Sequence, residues 1–435
     1  MNISRLALDD FRSWQQCVID FAPGLNVLVG HNGVGKTNIV EAVEVLATGS
    51  SHRVSSSLPL VRRGAGKATI RANVDGHTYE MTIPVRGANR ARVDGGKSLY
   101  YRDIAGRVRC VIFSPRDQAL VSGDPSGRRS FVNAAAAQLV PGYYAMAQEL
   151  TRVGRQRAAL LKMLGKQEGT HDAGFGVDLP DPTLASLEAW TSQFVGLGIA
   201  VTRARARVVS MLAEPFARTY RKLAGHDEDI ALTYQPSLAE VTEEDAADGV
   251  PSSGTDVDSR IRSRIGEHFQ RIYPGEVARG ANLIGPHRDD LVITLDGVPA
   301  KEFASNGEIW TMALALRMAM FQVFSAMAGA PDVDVAQEGQ PILVLDDVFA
   351  QLDDERRRQI VDFTRQAGQT LITVASAGDV PDGIEAHMID VEDIARRDGD
   401  VFAALGLPGI PAPDAVGVAG VAQAGVTGDT EGGHA

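Results

Sequence analysis

The residues with the clearest chemistry form a glycine-rich loop near the amino terminus. Residues 30–37 read GHNGVGKT and fit the pattern G-x-x-x-x-G-K-S/T. In such a loop the glycines let backbone N–H groups turn inward, so that these groups and a helix N-terminus hold phosphate oxygens. We expect Lys36 to act catalytically on the β- and γ-phosphates and the Thr37 hydroxyl to bind Mg²⁺. The alternative is a glycine-rich turn that contains Lys-Thr by chance.

Two carboxylates follow an apolar run far downstream. Residues 341–345 read PILVL, which is typical of a buried strand, and Asp346 and Asp347 come directly after it. Beside a phosphate loop, Asp346 would hold Mg²⁺ through its water shell, and Asp347 would act catalytically by orienting the attacking water. The alternative is a strand followed by an acidic turn.

A third motif begins a long apolar segment, residues 309–327, that is predicted to be helical. Ser305 and Glu308 fit a capping box, in which each side chain bonds to the backbone of the other residue. Ser305, Gly307 and Glu308 also present a hydroxyl, a glycine amide and a helix dipole to an anion, which is how ABC-type ATPases grip the γ-phosphate of a partner's nucleotide. The position between the other two motifs favours the second interpretation without excluding the first.

The elements that flank these motifs have the required types. Residues 25–29 are predicted to form a buried strand before the loop, and residues 38–47 an amphipathic helix after it. Alternating patterns predict further strands at residues 6–11, 17–21, 69–74 and 79–83. The first hundred residues therefore indicate mixed α/β structure.

The middle of the chain has a different pattern. Residues 128–223 are mostly helical in pattern, with a polar break at 165–182 and no sustained heptads. Residues 237–258 are acidic and Ser/Gly-rich, which predicts a mobile loop. Mixed α/β patterns return over residues 282–390, and the last thirty or so residues are typical of a disordered tail.

Charge is unevenly distributed along the chain. The formal net charge of −12 argues against nucleic-acid binding if taken alone. Residues 86–162, however, carry fourteen basic and five acidic residues, whereas residues 227–258 carry ten acids and no Lys or Arg. The basic stretch is a candidate for DNA contacts, although a charge run is more often simply solvated surface.

Length and composition limit the remaining possibilities. A chain of 435 residues is too long for one ordinary core, so two or more domains are expected. No apolar run is long enough for a membrane span, and the amino terminus lacks the apolar centre of a signal peptide, which predicts a cytoplasmic protein without a membrane partner. Cys17 and Cys110 are expected to be small core residues.

Several segments spread over residues 3–376 together resemble the RecF family, ABC/SMC-type ATPases of bacterial recombination repair. They are Phe11-Arg12, GLNV at 24–27, NGVGKTN at 32–38, Glu41-Ala42, SHR at 51–53, FSP at 113–115, GRR at 127–129, GPHRDD at 285–290 and LDDVFAQLD at 345–353. GPHRDD together with LDDVF is a specific combination, whereas the phosphate loop alone indicates only an NTPase.

The resemblance implies an α/β fold in which an ABC/SMC-type ATPase head carries an inserted helical arm domain. The implied divisions are an N-terminal head lobe at 1–115, a helical arm at 116–279, a C-terminal head lobe at 280–395 and a disordered tail at 400–435. By analogy with SMC-type heads, Arg12 is expected to contact the nucleotide. The loop residues expected to contact it are Gly30, His31, Asn32, Gly33, Val34, Gly35, Lys36, Thr37 and Asn38, with Ser305, Gly307 and Glu308 supplied by a partner.

The resemblance also implies ATP and Mg²⁺ as cofactors and a homodimer that forms on ATP binding. It implies binding to double-stranded DNA and to gapped single-/double-strand junctions, and cooperation with RecR and RecO in loading RecA. The implied function is a recombination mediator that uses weak ATPase activity as a switch. Its site of action would be single-strand gaps and stalled forks.

An alternative from another class stays open, namely an ABC-type ATPase subunit of a transporter, or a regulator with no DNA role. Far more residues separate Thr37 from Ser305 than a transporter ATPase lobe needs, and this segment is helical in pattern. Duplex DNA binding at about 50 mM salt with ATP present would separate the two classes, because phosphate contacts are strongest at low salt.

Two weaker motifs also allow two interpretations each. Residues 287–290 read HRDD and fit either a functional motif of the resembled family or a structural hydrogen-bond knot that joins the returning chain to the head. Thr373 and Ser376, at the end of a predicted strand over residues 370–374, fit either a γ-phosphate sensor or a plain strand end.

Overall fold

The computed structural model describes residues 1–54, 56–168, 182–247, 255–328, 339–349, 354–365, 367–380 and 385–404. The strands are β1 (Ile3–Phe11), β2 (Trp14–Asp20), β3 (Gly24–Val29), β4 (Lys67–Val74), β5 (His77–Pro84), β6 (Arg90–Val93), β7 (Leu99–Tyr100), β8 (Cys110–Phe113), β9 (Ile230–Gln235), β10 (Asp290–Leu295), β11 (Val298–Pro299), β12 (Ile342–Asp346), β13 (Gln369–Val374) and β14 (His387–Asp390). The helices are α1 (Lys36–Thr48), α2 (Ala119–Ser122), α3 (Pro125–Leu139), α4 (Tyr143–Glu168), α5 (Pro182–Ala224), α6 (Ala239–Ala247), α7 (Thr255–Arg279), α8 (Ala300–Phe303), α9 (Asn306–Met327), α10 (Asp354–Thr364) and α11 (Val391–Ala404).

A five-stranded parallel sheet forms the centre of the molecule, with strand order β14-β3-β13-β12-β8. Every residue of β12 and β13 is buried, as in parallel sheets that are covered on both faces. The carboxyl ends of parallel strands meet at one edge, and ligands bind in the crevice there. The loop after β3, Asp346 at the end of β12 and Asp347 directly after it lie at this edge, with β13 between the two strands.

A second sheet is antiparallel, with strand order β2-β1-β4-β5-β6-β7. Its strands include all four that alternation predicted in the first hundred residues. Leu6 and Leu8 in β1 and Ile70 in β4 are fully buried and share one hydrophobic cluster with Val43 of α1. The antiparallel sheet therefore supports the helix that follows the phosphate loop.

Helices dominate residues 116–279. α4 packs against α5 and α7, and α5 also packs against α9 of the head. The same range contains β9, which pairs antiparallel with β10 in a three-stranded sheet with β11. One hydrophobic cluster runs from α5 through β9 to α9 and β12, so the helical segment shares a core with α9 and the parallel sheet.

The prediction of a mobile loop at residues 237–258 is wrong for the part that the structure describes. α6 occupies its middle, with Leu238 and Val241 fully buried, and α7 begins within it. Helical spacing of these two apolar residues gives the segment a face to bury. The acids are accommodated because cations from other helices pair with them: Arg203 bonds to Asp245 at 2.9 Å. Residues 248–254 lie outside the described residues.

Two other sequence predictions concern segments at the limits of the described residues. α4 continues to Glu168, so the predicted break at 165–182 falls largely on residues 169–181, which are outside the described part. α11 continues to Ala404, so the first positions of the predicted tail are helical, and residues 405–435 lie outside the described part.

The long apolar helix α9 lies in the core of the fold. It is the one candidate membrane span by length and hydropathy in the described residues, yet 83% of its most apolar window is buried inside the fold. Cys17 and Cys110 are both buried and free, as predicted.

Candidate nucleotide site

The phosphate loop connects the end of β3 to the start of α1. Gly33 and Gly35 have φ angles of 93° and 112°, in the left-handed region that glycine enters without strain. Gly35 caps α1, and no side chain bonds to the first turn from the cap position. The first amides of α1 are therefore available to an anion, as phosphate loops require.

Trp14 of β2 fixes the loop at Gly35. The indole Nε1 donates to the Gly35 carbonyl at 3.2 Å, and the side chain is buried. A Cβ atom at Gly35 would lie 2.8 Å from the indole, whereas a Cβ atom at Gly33 would meet nothing within 4 Å. Gly33 is thus required for its φ angle, whereas Gly35 is required both for its φ angle and for the close approach of the indole. Nothing in the local sequence identifies Trp14 as part of the site.

Lys36 lies folded along the loop. Its Nζ donates to the carbonyls of Gly30 and, at 3.0 Å, of His31. Burial lowers the pKa of the Lys36 ammonium, and the nearby carboxylates of Asp347 and Asp346 oppose this shift. The side chain is positioned inside the loop where phosphate oxygens would bind, which fits its predicted role.

Thr37 and Asp346 meet across the sheet edge. The Thr37 hydroxyl donates to Asp346 Oδ1 at 3.0 Å, and the Thr373 hydroxyl at the end of β13 donates to the same oxygen at 2.7 Å. A hydroxyl and a carboxylate are hard oxygen ligands of the kind that Mg²⁺ takes, with water and phosphate completing its shell. The described residues contain no cluster of three or more His, Cys, Asp or Glu that would bind a metal without such help.

Asp347 follows β12 with a φ of 53°. Its backbone N–H donates to the Thr373 hydroxyl at 2.9 Å, so that β13 holds the turn that presents its carboxylate. Partial burial, and next the negative charge of Asp346, raise the pKa of Asp347. A carboxylate with a raised pKa is a better proton acceptor at neutral pH.

Ser305 and Glu308 form the capping box that the sequence predicted. Glu308 N–H donates to Ser305 Oγ at 3.3 Å, and Ser305 N–H donates to Glu308 Oε2 at 2.7 Å. Among the residues that the structure describes, neither side chain bonds to the phosphate loop. Ser305 is exposed and Gly307 partly so. The start of α9 is therefore a capped helix end whose hydroxyl faces solvent.

Arg12 lies in the tight turn between β1 and β2, with a φ of 56°. Its guanidinium pairs with both oxygens of the buried Glu41 carboxylate. Arg53 donates to Glu41 at 2.8 Å and to the Asn38 side chain at 3.0 Å. The Arg12 and Asn38 side chains, both predicted to contact nucleotide, thus belong to a polar network behind the loop.

His31 is bound by an acid from the far end of the chain. Glu392, at the start of α11, accepts from the His31 backbone N–H at 3.1 Å and lies 2.7 Å from its Nδ1. The contact with His31 lowers the pKa of Glu392. Sequence reasoning did not find Glu392, because only the fold brings α11 to the loop. Asn32 is exposed, whereas Val34 is partly buried and packs against the hydrophobic cluster that contains α1.

The GPHRDD segment contains the predicted hydrogen-bond knot. Asp289 is fully buried and accepts from Arg205 at 2.7 Å and from the Ser237 N–H at 2.8 Å. Asp290 pairs with Arg128 at 2.7 Å. These contacts join the helical segment to the head. His287 and Arg288 remain exposed beside the knot.

The basic residues of the candidate DNA-binding stretch, residues 86–162, form a buried group and an exposed group in the structure. Three of its arginines are buried: Arg109 donates to a backbone carbonyl, Arg128 belongs to the knot, and Arg157 pairs with the buried Glu276 at 2.6 Å. These three stabilise the fold. Most of the other cations are exposed.

Thr373 and Ser376 have separate roles. Thr373 is fully buried and holds Asp346, as described above. Ser376 is exposed and caps a short turn over Ala377–Asp379, where its Oγ accepts from Gly378 N–H at 3.3 Å.

The central parallel sheet, the phosphate loop, the acids after β12 and the capped α9 together define an ATPase head of the ABC/SMC type. The family model described as RecF/RecN/SMC N terminal domain matches residues 2–383.

Comparison with similar proteins shows which family within this class the chain belongs to. The DNA replication and repair protein RecF of Bifidobacterium adolescentis is 55% identical over 413 residues, covering 93% of this chain and 95% of the relative. The RecF of Beutenbergia cavernae is 40% identical, covering 90% and 98%. The solved structure of the recombination mediator protein RecF-ATPrS in the RecFOR pathway has a TM-score of 0.73 at 23% identity, covering 90% of this chain and 96% of that one. The chain belongs to the RecF family of DNA replication and repair proteins, which favours the DNA-repair interpretation over a transporter subunit.

Proposed function

We propose that the chain binds ATP with Mg²⁺ at the phosphate loop, and that two copies close on DNA with the nucleotide between them. The observation that carries this proposal is the division of the site into two separate parts. Lys36, Thr37 and Asp346 form one part at the sheet edge. The exposed start of α9, with Ser305, is the other, and a second copy would bring it to the first.

The surface beside Ser305 supports a dimer interface there. Phe303, two positions earlier, is 70% exposed, and Val298 nearby in sequence is 43% exposed. Exposed aromatic side chains next to a functional helix end are typical of surfaces that a partner covers. A second copy docking on α9 would bury Phe303 while it presents Ser305 to the nucleotide.

The chain's own residues have distinct roles in the proposed ATP-dependent closing and opening of the dimer. Lys36 and the loop amides hold the phosphates, Thr37 and Asp346 hold the Mg²⁺ that balances phosphate charge, and Asp347 accepts a proton from water. Hydrolysis is slow and serves to open the dimer, because removal of the γ-phosphate removes what Ser305 of the second copy binds.

The proposed setting is recombination repair in the cytoplasm. We propose that the closed dimer binds double-stranded DNA and gapped single-/double-strand junctions at gaps and stalled forks. There it would act with RecR and RecO to promote loading of RecA. Family membership supports this setting, and the exposed cations of residues 86–162 supply surface for phosphate contacts.

Asp346→Asn tests the metal role without disturbing the shape of the site. The amide oxygen can still accept from Thr37 and Thr373, whereas the charge that Mg²⁺ requires is lost. We expect the variant to stay monomeric with ATP and Mg²⁺ in sedimentation velocity, while its thermal midpoint stays within a few degrees of the parent. A matched control is Asp362→Asn in α10, where the carboxylate is exposed and pairs with Arg365 one turn further along the chain. If Asp346→Asn formed dimers with ATP at the protein concentrations at which the parent chain does, the proposed role of Asp346 in holding Mg²⁺ would be contradicted.

A further inference from the structure

The strand β14 and the helix α11, close to the carboxyl end of the chain, bring a carboxylate to the phosphate loop. β14 pairs in parallel with β3, and the register places Asp390 opposite Val29, the last residue of β3. The chain therefore leaves both strands at the same edge of the sheet. As a result, Glu392 of α11 lies beside His31 of the loop, although 361 positions separate them in the sequence.

The first turn of α11 is fixed against the loop. Asp390 Oδ1 accepts from the N–H groups of Glu392 and Asp393 at 2.8 and 3.2 Å, so the helix start is capped. Val391 is fully buried in the hydrophobic cluster that contains α1. A Cβ atom at Gly30 would lie 3.5 Å from Glu392 Cγ and 3.7 Å from Val391 Cβ. α11 thus packs directly on the first glycine of the loop.

One peptide group of the loop is held from both sides. The Gly30 carbonyl and the His31 N–H belong to the same peptide, and in a trans peptide they point in opposite directions. The carbonyl accepts from Lys36 Nζ, whereas the N–H donates to Glu392 Oε1 at 3.1 Å. Glu392 therefore fixes the plane of the peptide whose carbonyl binds the Lys36 ammonium. Rotation of that plane would turn the carbonyl away from Lys36.

The contact of Glu392 with the backbone matters more than its contact with the imidazole ring. His31 Nδ1 lies 2.7 Å from the same carboxylate oxygen, but the His31 side chain is 70% exposed, and exposed ion pairs contribute little. Glu392 also acts on Lys36 through its charge. Burial lowers the pKa of the Lys36 ammonium, and Glu392 is among the carboxylates that oppose this shift.

We infer that Glu392 is a positioning residue for nucleotide binding, which acts through the Gly30–His31 peptide to hold the Lys36 ammonium towards the phosphates. Glu392 does not touch the nucleotide, because the peptide lies between its carboxylate and Lys36. The inference rests on the ATP binding proposed above. It adds a role for α11, which lies beyond residues 2–383, the part of the chain that the family model matches.

Glu392→Ala removes the contact with the His31 N–H. Glu392→Gln is its conservative counterpart, because the amide oxygen of Gln can still accept from that N–H. The control is Asp393→Ala, which makes the same change in net charge at the next position of α11, where the carboxylate is exposed and pairs with Arg396 at 2.8 Å. The affinity of the full chain for a fluorescent ATP analogue is measured with Mg²⁺, and thermal unfolding shows that each variant is folded.

We expect Glu392→Ala to weaken binding of the analogue by about tenfold, the effect of losing a hydrogen bond to a charged group. Glu392→Gln and Asp393→Ala should each change the affinity by less than about threefold. An affinity of Glu392→Ala at or above that of the parent chain would overturn the inference. A loss in Glu392→Gln or Asp393→Ala as large as the loss in Glu392→Ala would also overturn it.

Adding Glu392→Ala to Lys36→Arg separates a positioning role from a general loosening of the loop. If Glu392 acts through Lys36, the second substitution should weaken binding by less than about twofold further, because residues that act as a unit have non-additive effects. A further loss of about tenfold would overturn the inference, since Glu392 would then act without Lys36. Failure of the proposed function is recognised separately, because the parent chain would then not bind the analogue.

Discussion

Lys36→Arg is expected to abolish ATP-driven dimerisation without unfolding the chain. The Lys36 ammonium lies in a narrow, buried position between the Gly30 and His31 carbonyls, and the larger planar guanidinium cannot occupy it in the same way. Loss of this charged contact should cost about 2–3 kcal/mol of ATP binding, or roughly 30- to 150-fold in Kd. A fluorescent ATP analogue measures the affinity, and sedimentation velocity measures the dimer.

Lys67→Arg is the matched control for this prediction. Lys67 begins β4 and is exposed, so the same substitution there should leave affinity and dimerisation unchanged. If Lys36→Arg formed dimers with ATP at the parental concentration, the phosphate loop would not be the site that drives association.

Gly35→Ala is expected to disrupt the loop more strongly than Gly33→Ala. Both substitutions place a Cβ atom on a residue with positive φ, a strain of about 1–3 kcal/mol. At Gly35 the new Cβ atom would also meet the Trp14 indole at 2.8 Å, and overpacking adds about 1–3 kcal/mol. The thermal midpoint of Gly35→Ala should therefore fall by several degrees more than that of Gly33→Ala.

Nucleotide titrations complete the comparison of the two glycines. Movement of the Gly35 peptide displaces the first amides of α1, so Gly35→Ala should lose nearly all detectable ATP binding. Gly33→Ala should retain part of it. Equal midpoints and equal affinities for the two variants would show that the indole contact does not support the loop.

The sequence predicted the parts of the site that are contiguous in the chain. The loop between β3 and α1, the acids after β12 and the capping box of α9 were all recognisable, because each combines a local pattern with local backbone geometry. The loop and the two acids meet at one sheet edge because β3, β13 and β12 pair in parallel. The mixed α/β fold was predictable from local patterns, whereas the ATPase head was predicted from the resemblance to the RecF family.

Residues that act on the site through tertiary contacts were not predictable. Trp14 reaches Gly35 from another strand, and Glu392 reaches His31 across most of the chain. Thr373 was predicted to be either a γ-phosphate sensor or a plain strand end, but its bond to Asp346 depends on the order of strands in the sheet. The acidic segment at 237–258 was misread because the arginine that pairs with Asp245 lies elsewhere in the sequence.

The central claim, that two copies share each nucleotide, is tested most directly by mixing two inactive variants. Lys36→Arg removes the phosphate loop's contribution, and Ser305→Arg removes the contribution of the α9 start. In a mixed dimer one site combines both defects, while the other combines an intact loop with an intact Ser305. Sedimentation velocity with ATP and Mg²⁺ should show each variant alone at the 46.3 kDa mass of one chain, and the equimolar mixture partly at twice that mass. A mixture that stays monomeric while the parent chain dimerises would contradict the account.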